Sequence, residues 1–158
     1  DGLDVGINYR RQTGFGSIDA STNLNYELNR LQSQSATAAL ADLLLRDASR
    51  YKFRSTLGAT IGNFRSQITW NHSHGYDISP VLATTISTGQ THVASYNVID
   101  LFFKYDVKSA DLAFTLGINN VFDKAPPVYK AQQIGTPNGY ANGNTVGRLV
   151  QLGVSKKF

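Results

Sequence analysis

The sequence of 158 residues lacks cysteine, long apolar runs and clusters of basic residues, and each absence excludes a class of protein. Without cysteine there is neither a disulfide framework nor a thiolate metal site. No apolar run approaches the roughly 18 residues that a transmembrane helix needs, so any membrane crossing would use strands. The net charge is +4, but the lysines and arginines are scattered, so we expect no nucleic-acid partner. The chain does not open with a basic segment followed by an apolar one, so we expect no signal peptide in these residues.

What the sequence has instead is alternation of apolar and polar residues. Near the end of the chain, Val150, Leu152 and Val154 alternate with polar or small residues, which is typical of a strand with one apolar face. The segment Ser17–Asn29 alternates for about twice the usual 5–6 residues of a soluble strand. Strands that cross a bilayer at a tilt need roughly 9–11 residues, which these segments supply.

The pattern predicts about seven strands, joined alternately by short turns and long loops. The strands are Asp1–Arg11, Ser17–Asn29, Tyr51–Ile61, Phe64–His72, Tyr96–Val107, Leu112–Val121 and the terminal stretch within Gly147–Phe158. The predicted turns are Gln12–Gly16, Gly62–Asn63 and Lys108–Asp111, and the predicted loops are Arg30–Arg50, Ser73–Ser95 and Asp123–Val146. This is the layout of an outer-membrane barrel with short periplasmic turns and long extracellular loops.

The expected fold class is therefore all-β: a transmembrane antiparallel up-and-down β-barrel. We expect the apolar face to carry no acidic residue and only one Lys or Arg, Lys156. His72 is the one histidine expected on this face. Aromatic residues lie toward strand ends on this face, as an interfacial girdle requires. These are Tyr9, Tyr26, Tyr51, Trp70, Tyr105 and Phe158. A soluble β-sandwich with one wet face is the alternative.

Seven strands cannot close a barrel at membrane depth, because bacterial single-chain barrels have an even number of strands. An open edge in lipid leaves backbone groups unpaired at a cost of several kcal/mol each. We therefore expect this chain to be the last seven strands or so of a larger barrel. Its partners would be the remainder of that barrel and the surrounding lipid.

One segment departs from the strand pattern. Ala36–Ala48 has apolar residues at helical spacing and predicts a short helix, which folds onto its own small core or lies on the membrane surface. The loop Asn138–Asn144, which carries Tyr140, combines amide and aromatic groups that suit a polar or chelated ligand, although a solvated loop has the same composition.

Three kinds of site that the sequence suggests are not assigned. His72 and His74 share a face, but no third metal ligand is fixed by the spacing. Ser73 has the opposite parity to His72, which disfavours a lipid-facing Ser-His hydrolase. The glycines of Gly14–Gly16 form a turn, with no helix after them to hold a phosphate. We expect no catalytic residue, no metal site and no cofactor.

The segment Gly117–Lys124 reads GINNVFDK and is followed by a polar loop with Tyr140 and by the final Phe158. This end of the chain resembles the carboxy-terminal end of TonB-dependent outer-membrane receptors. The opening GLDVGINYRRQTGFGSIDASTNLNY resembles internal strands of their barrels. The terminal QLGVSKKF is similar to their barrel-assembly signal, with Gly153 and Phe158 as key positions, and departs from it at Lys156, where the family prefers an aromatic.

The resemblance implies a 22-stranded barrel of the bacterial outer membrane, closed by an amino-terminal plug domain. Such receptors import a scarce ligand, such as an iron chelate, cobalamin or a glycan, with energy from the TonB complex. The plug and the TonB-contacting segment would lie outside residues 1–158. A passive porin-like channel and an outer-membrane hydrolase are the alternative functions.

Inward-facing polar residues near the extracellular end are the candidate ligand contacts. They are Asn29, Lys52, Asn71 and Asp100, with Tyr140 from the last loop. Inward residues nearer the other end are candidates for contact with the plug. They are Arg10, Asp19, Arg54, Arg65, Lys104 and Lys157.

Overall fold

The computed structural model describes residues 1–33, 36–37, 39–44, 48–78, 89–130, 139–140 and 146–157. Within these residues the chain forms eleven strands and one 3-10 turn, Lys108–Ala110. The strands are β1 (Gly2–Thr13), β2 (Gly16–Glu27), β3 (Leu31–Gln32), β4 (Ala41–Asp42), β5 (Tyr51–Ile61), β6 (Phe64–Ser73), β7 (Tyr76–Asp77), β8 (His92–Val93), β9 (Tyr96–Val107), β10 (Leu112–Asn119) and β11 (Leu149–Lys156). No helix in this part of the chain has the length and apolar character needed to cross a membrane.

Seven of the strands form one antiparallel sheet in the order β1-β2-β5-β6-β9-β10-β11. Each long strand pairs with the next long strand along the chain, so the connections are local and up-and-down. Turns at residues 14–15, 62–63 and 108–111 lie at one end of the sheet, the turn end. The long connections lie at the other, the loop end. The predicted all-β, seven-stranded antiparallel arrangement is confirmed.

Strand β1 ends two residues later than the predicted strand Asp1–Arg11. It continues to Thr13, whose hydroxyl donates a hydrogen bond of 2.8 Å to the carbonyl of Gly16 and so closes the turn. The extension places Arg11 opposite Ile18, on the apolar face of the sheet. The expectation that Lys156 is the one basic residue on that face was therefore wrong. Both basic residues, Arg11 and Lys156, lie at the turn end of their strands.

The helix predicted over Ala36–Ala48 is wrong for the described part of this segment, which holds strand β4 and no helix; β4 pairs with β3, which precedes the segment. The carboxylate of Asp42 gives the physical reason. Its Oδ1 accepts hydrogen bonds of 3.0 Å from the backbone N–H groups of Arg30 and Leu44. These bonds lower the pKa of Asp42 and offer the backbone an alternative to helical pairing. The side chain of Leu44 is buried, so some of the expected local apolar packing is present.

The two faces of the seven-stranded sheet differ in chemistry. One face, the apolar face, exposes large hydrophobic side chains, with Leu57 54% and Leu152 82% exposed. Two hydroxyls on this face, those of Thr22 and Ser55, lie 3.0 Å apart and satisfy each other. The opposite, polar face carries charged and amide side chains. The exposed hydrophobic residues of the apolar face are Leu3, Ile7, Tyr9, Leu57, Ile61, Phe64, Ile68, Trp70, Tyr105, Phe114, Val150, Leu152 and Val154.

The buried apolar residues of the described chain lie near the loop end. Val93 and Ile78 are fully or almost fully buried beside β7 and β8, and Tyr96 is buried at the start of β9. None of the described residues outside the sheet covers the middle of the apolar face. A sheet of this kind gains its hydrophobic stabilisation only when an external apolar medium or partner covers that face.

Gly58 accommodates an ion pair that crosses its strand. On the polar face, the guanidinium of Arg65 binds the carboxylate of Asp19 through two hydrogen bonds of 2.7 and 3.0 Å. Asp19 is on β2 and Arg65 on β6, so the pair spans β5 between them. A Cβ at Gly58 would lie 2.6 Å from Asp19 Oδ2 and 2.9 Å from Arg65 Nη2. The absent side chain therefore leaves room for the pair to lie flat across β5.

We expect Gly58→Ala to push the ion pair apart and Gly117→Ala to be tolerated. Both glycines are on the polar face, but the nearest atom to a Cβ at Gly117 is 3.7 Å away. Gly58→Ala should lower the free energy of unfolding by about 1 kcal/mol, the size of a partly exposed charge-assisted pair. Gly117→Ala should change it by less than about 0.5 kcal/mol. Urea unfolding of the detergent-solubilised variants, followed by circular dichroism, measures both; equal effects would contradict the explanation.

Candidate ligand-binding site

A groove of about 840 Å³ lies on the polar face at the loop end of the sheet. It spans six of the seven strands, from β1 to the end of β10. Its volume is in the range of small-molecule sites. The polar side chains that line it are Asp4, Asn23, Asn25, Lys52, Arg54, Asn71, Ser73, Asp100 and Asn119.

Two basic side chains, Lys52 and Arg54, line the groove from successive inward positions of β5. Neither forms an ion pair within the described residues. Nearer the turn end of the polar face, Arg65 is paired with Asp19 and Lys104 with Asp106, the latter at 2.9 Å, whereas Arg10 forms no ion pair within the described residues. The groove therefore presents two cations whose hydrogen-bonding capacity is not used by carboxylates of the sheet.

The two acidic residues of the groove are bound by amides. Asn25 Nδ2 donates a hydrogen bond of 2.8 Å to Asp4 Oδ1, and Asn71 Nδ2 donates one of 2.8 Å to Asp100 Oδ2. Only the NH₂ group of an amide can donate to a carboxylate, so these contacts fix which way each amide is turned. The carboxylates are satisfied by neutral donors, so neither of them forms an ion pair with Lys52 or Arg54.

Asn120, the first residue after β10, holds the carboxylate of Asp100 in place. Its backbone N–H donates a hydrogen bond of 2.8 Å to Asp100 Oδ1, so Asp100 is held from both sides. Its buried side chain binds the backbone N–H and the carbonyl of Lys124, at 2.9 and 3.0 Å. Sequence analysis did not select Asn120. The sequence feature that could have identified Asn120 is the Asn-Asn pair in GINNVFDK. Asn tolerates the left-handed backbone conformation that Asn120 adopts, with φ at 52°.

The groove contains three of the five predicted ligand contacts, Lys52, Asn71 and Asp100. Arg54, predicted to face a plug, lines the same groove. Asn29 lies outside it, two residues beyond the end of β2, where its side-chain Nδ2 donates a hydrogen bond of 3.3 Å to the carboxylate of Asp1. The roles of these residues in ligand binding stay predictions.

Tyr140 lies where the last long loop meets the preceding one. Its hydroxyl is 2.7 Å from the carbonyl oxygen of Ala94 and 3.0 Å from that of His74, and can donate to either. Its ring stacks on Tyr96, a groove residue, with ring centroids 5.9 Å apart. Burial, with a smaller contribution from the neighbouring Tyr76, raises the pKa of Tyr140 to about 12. Tyr140 thus joins two loops above the groove.

His72 and Ser73 point to opposite faces of β6. His72 pairs in register with Phe53 and Asn97, and its Nδ1 is 2.7 Å from Asn97 Oδ1, whereas Ser73 lines the groove on the polar face. Because the two side chains are on different faces, Ser73 cannot serve as a nucleophile activated by His72. Within the described residues no group of three or more potential ligands is placed to hold a metal ion.

The residues of the predicted assembly signal are described only in part. Gly153 lies in β11 opposite Thr115, and a Cβ on it would be 2.5 Å from Thr115 Oγ1. Phe158 is outside the described residues. Steric contact with Thr115 is thus a local reason for glycine at position 153, and the role of both residues in assembly stays a prediction.

The fold has a counterpart among solved structures. The crystal structure of a mutant of the ferric enterobactin receptor of Pseudomonas aeruginosa aligns with 97% of this chain at a TM-score of 0.61 and 16% sequence identity. The chain spans only 22% of the length of that receptor. No known protein family and no curated protein matches the sequence. The chain therefore has the fold of a segment of a receptor barrel, as its resemblance to TonB-dependent receptors predicts.

We expect Tyr140→Phe to loosen the contact between the two loops while the sheet stays intact. Because the folded-state pKa of Tyr140 is raised above the ordinary 10.0, the stabilising contribution of its proton is complete below pH 10 and is lost as the pH rises through about 12. Absorbance titration should show a late phenolate step near pH 12 that the variant lacks. Hydrogen exchange at residues 92–96 should be faster in the variant at neutral pH; unchanged exchange would contradict the tether.

Proposed function

We propose that this chain forms part of the wall of an outer-membrane importer of the TonB-dependent type. The observation that carries the proposal is a seven-stranded sheet that exposes hydrophobic side chains on one face and holds a polar groove on the other. In the proposal the apolar face contacts outer-membrane lipid, and the groove faces the lumen. The loop end is extracellular, and the turn end is periplasmic.

The edges of the sheet support the need for further strands. Strands β1 and β11 each have one neighbour in the sheet, so one side of each is unpaired. Unpaired backbone groups within hydrocarbon cost several kcal/mol each, and a closed barrel removes them. We propose that the remaining strands of the barrel pair with both edges, that a plug fills the lumen, and that the TonB complex supplies energy through the plug.

The groove supports ligand uptake at the loop end. Its cations Lys52 and Arg54 form no ion pair within the described residues. These cations and the oxygen atoms of the amides offer hydrogen bonds to a ligand. We propose that Lys52, Asn71 and Asp100 contact the passing ligand in the groove, with Asn29 and Tyr140 at the rim. The solved receptor is named for a ferric chelate, so an iron chelate is the first ligand to test, followed by cobalamin and glycans.

The membrane assignment predicts opposite outcomes for neighbouring residues of β5. Leu57 is on the apolar face, 54% exposed, and Thr56 is on the polar face. In lipid vesicles, Leu57→Arg should lower the free energy of unfolding by about 2–4 kcal/mol, because the charge enters hydrocarbon. Thr56→Arg should change it by less than about 1 kcal/mol, because that position faces water. If Leu57→Arg is no more damaging than Thr56→Arg, the apolar face does not meet lipid.

The importer assignment predicts energy-dependent uptake without open-channel conductance. Cells that express the complete protein should take up its ligand under scarcity only when TonB is present. Replacement of both Lys52 and Arg54 by alanine should reduce uptake, whereas Lys108→Ala, an exposed loop substitution outside the groove, should not. In planar bilayers the complete protein should show no steady conductance. Steady conductance together with TonB-independent uptake would identify a passive channel instead.

A further inference from the structure

The groove carries an ordered series of polar groups across five neighbouring strands. In register, Asp4 on β1 faces Asn25 on β2, and Asn25 faces Lys52 on β5. The next inward residue of β5, Arg54, faces Asn71 on β6. Asn71 is in turn hydrogen-bonded to Asp100 on β9. The order across the groove is therefore carboxylate, amide, two cations, amide and carboxylate.

The outer members of this series are fixed as acceptors. Each amide uses its NH₂ group to bind the neighbouring carboxylate, at 2.8 Å for both Asn25 with Asp4 and Asn71 with Asp100. Each amide oxygen therefore points away from its carboxylate partner and retains its capacity to accept. The flanks of the groove accordingly recognise groups that donate hydrogen bonds, such as hydroxyls.

The centre of the series offers only donors. Lys52 and Arg54 have no acceptor atoms in their side chains and form no ion pair within the described residues. A charged donor in a partly enclosed groove favours an anionic oxygen, and Arg suits a carboxylate or phosphate through two parallel bonds. The centre therefore selects an anion, while the two flanks select hydroxyls.

We propose that the groove binds a polyhydroxylated anion, in which a carboxylate or similar group stands among hydroxyls, as in a sugar acid. The proposal rests on the proposed function, because it names the chemical class of the ligand that the importer recognises in this groove. A bare carboxylate satisfies only the centre, and a neutral polyol satisfies only the flanks. A polyhydroxylated acid satisfies both, so it should bind more tightly than either.

Three six-carbon probes separate these contributions: gluconate carries both charge and hydroxyls, sorbitol carries hydroxyls alone, and hexanoate carries charge alone. Binding to the complete barrel protein in detergent is measured by calorimetry or by saturation-transfer NMR. Gluconate should bind at least about tenfold more tightly than either of the other two, a ratio that one well-formed set of added contacts supplies.

Variants then assign the two contributions to residues. The double replacement of Lys52 and Arg54 by alanine should bring gluconate down to the affinity of sorbitol. The double replacement of Asn25 and Asn71 by alanine should bring gluconate down to the affinity of hexanoate, with hexanoate itself unchanged. The matched control replaces Lys108 and Lys130, exposed basic residues outside the groove, and should change nothing.

Binding of the three probes to the unmodified protein is sufficient to overturn the proposal. Equal affinities for gluconate and hexanoate would mean that the flanks do not recognise hydroxyls, and equal affinities for gluconate and sorbitol would mean that the cations do not recognise the charge. Absence of binding by all three probes would also overturn it. None of these results touches the importer assignment, which fails separately if uptake is independent of TonB or if Leu57→Arg is harmless in lipid.

Discussion

Antiparallel pairing in fixed register is the constraint on which the structure depends. Direct partners across neighbouring strands lie on the same face, so most rows of side chains keep their apolar or polar character across the sheet. One such row runs through Ala20, Leu57, Ile68, Leu101, Ile118 and Val150, all apolar. A slip of one residue in any strand would move its apolar side chains among the charges of the groove. The register therefore determines both the apolar face and the groove.

The sequence was sufficient to predict this sheet because alternation is a local signal. Strand number, order and both faces follow from periodicity and from turn residues such as Gly62–Asn63. The helix predicted over Ala36–Ala48 failed because its spacing competes with the carboxylate of Asp42, which binds two backbone N–H groups. Phe102, an apolar residue with polar parity, lies opposite Gln67 and Gly117, and its position could not be explained before the register was known.

The candidate site was predicted less completely, because its properties depend on which partners meet across strands. Spacing places Lys52, Arg54 and Arg65 on one face, but it does not reveal that Arg65 is paired with Asp19 while the other two are unpaired. The contact of Asn71 with Asp100 likewise joins residues distant in sequence. The backbone N–H of Asn120 binds the carboxylate of Asp100, and no pattern of residue types predicts this contact.

The central claim is that the apolar face meets hydrocarbon, and Trp70 tests it most directly. Trp70 is the single tryptophan of the sequence and lies on the apolar face, 44% exposed. The measurement is quenching of its fluorescence in vesicles by brominated lipid chains and by aqueous iodide, with any tryptophan of partner strands replaced by phenylalanine. We predict strong quenching by the brominated chains and little by iodide. Strong quenching by iodide, with none by brominated lipid, would contradict the account.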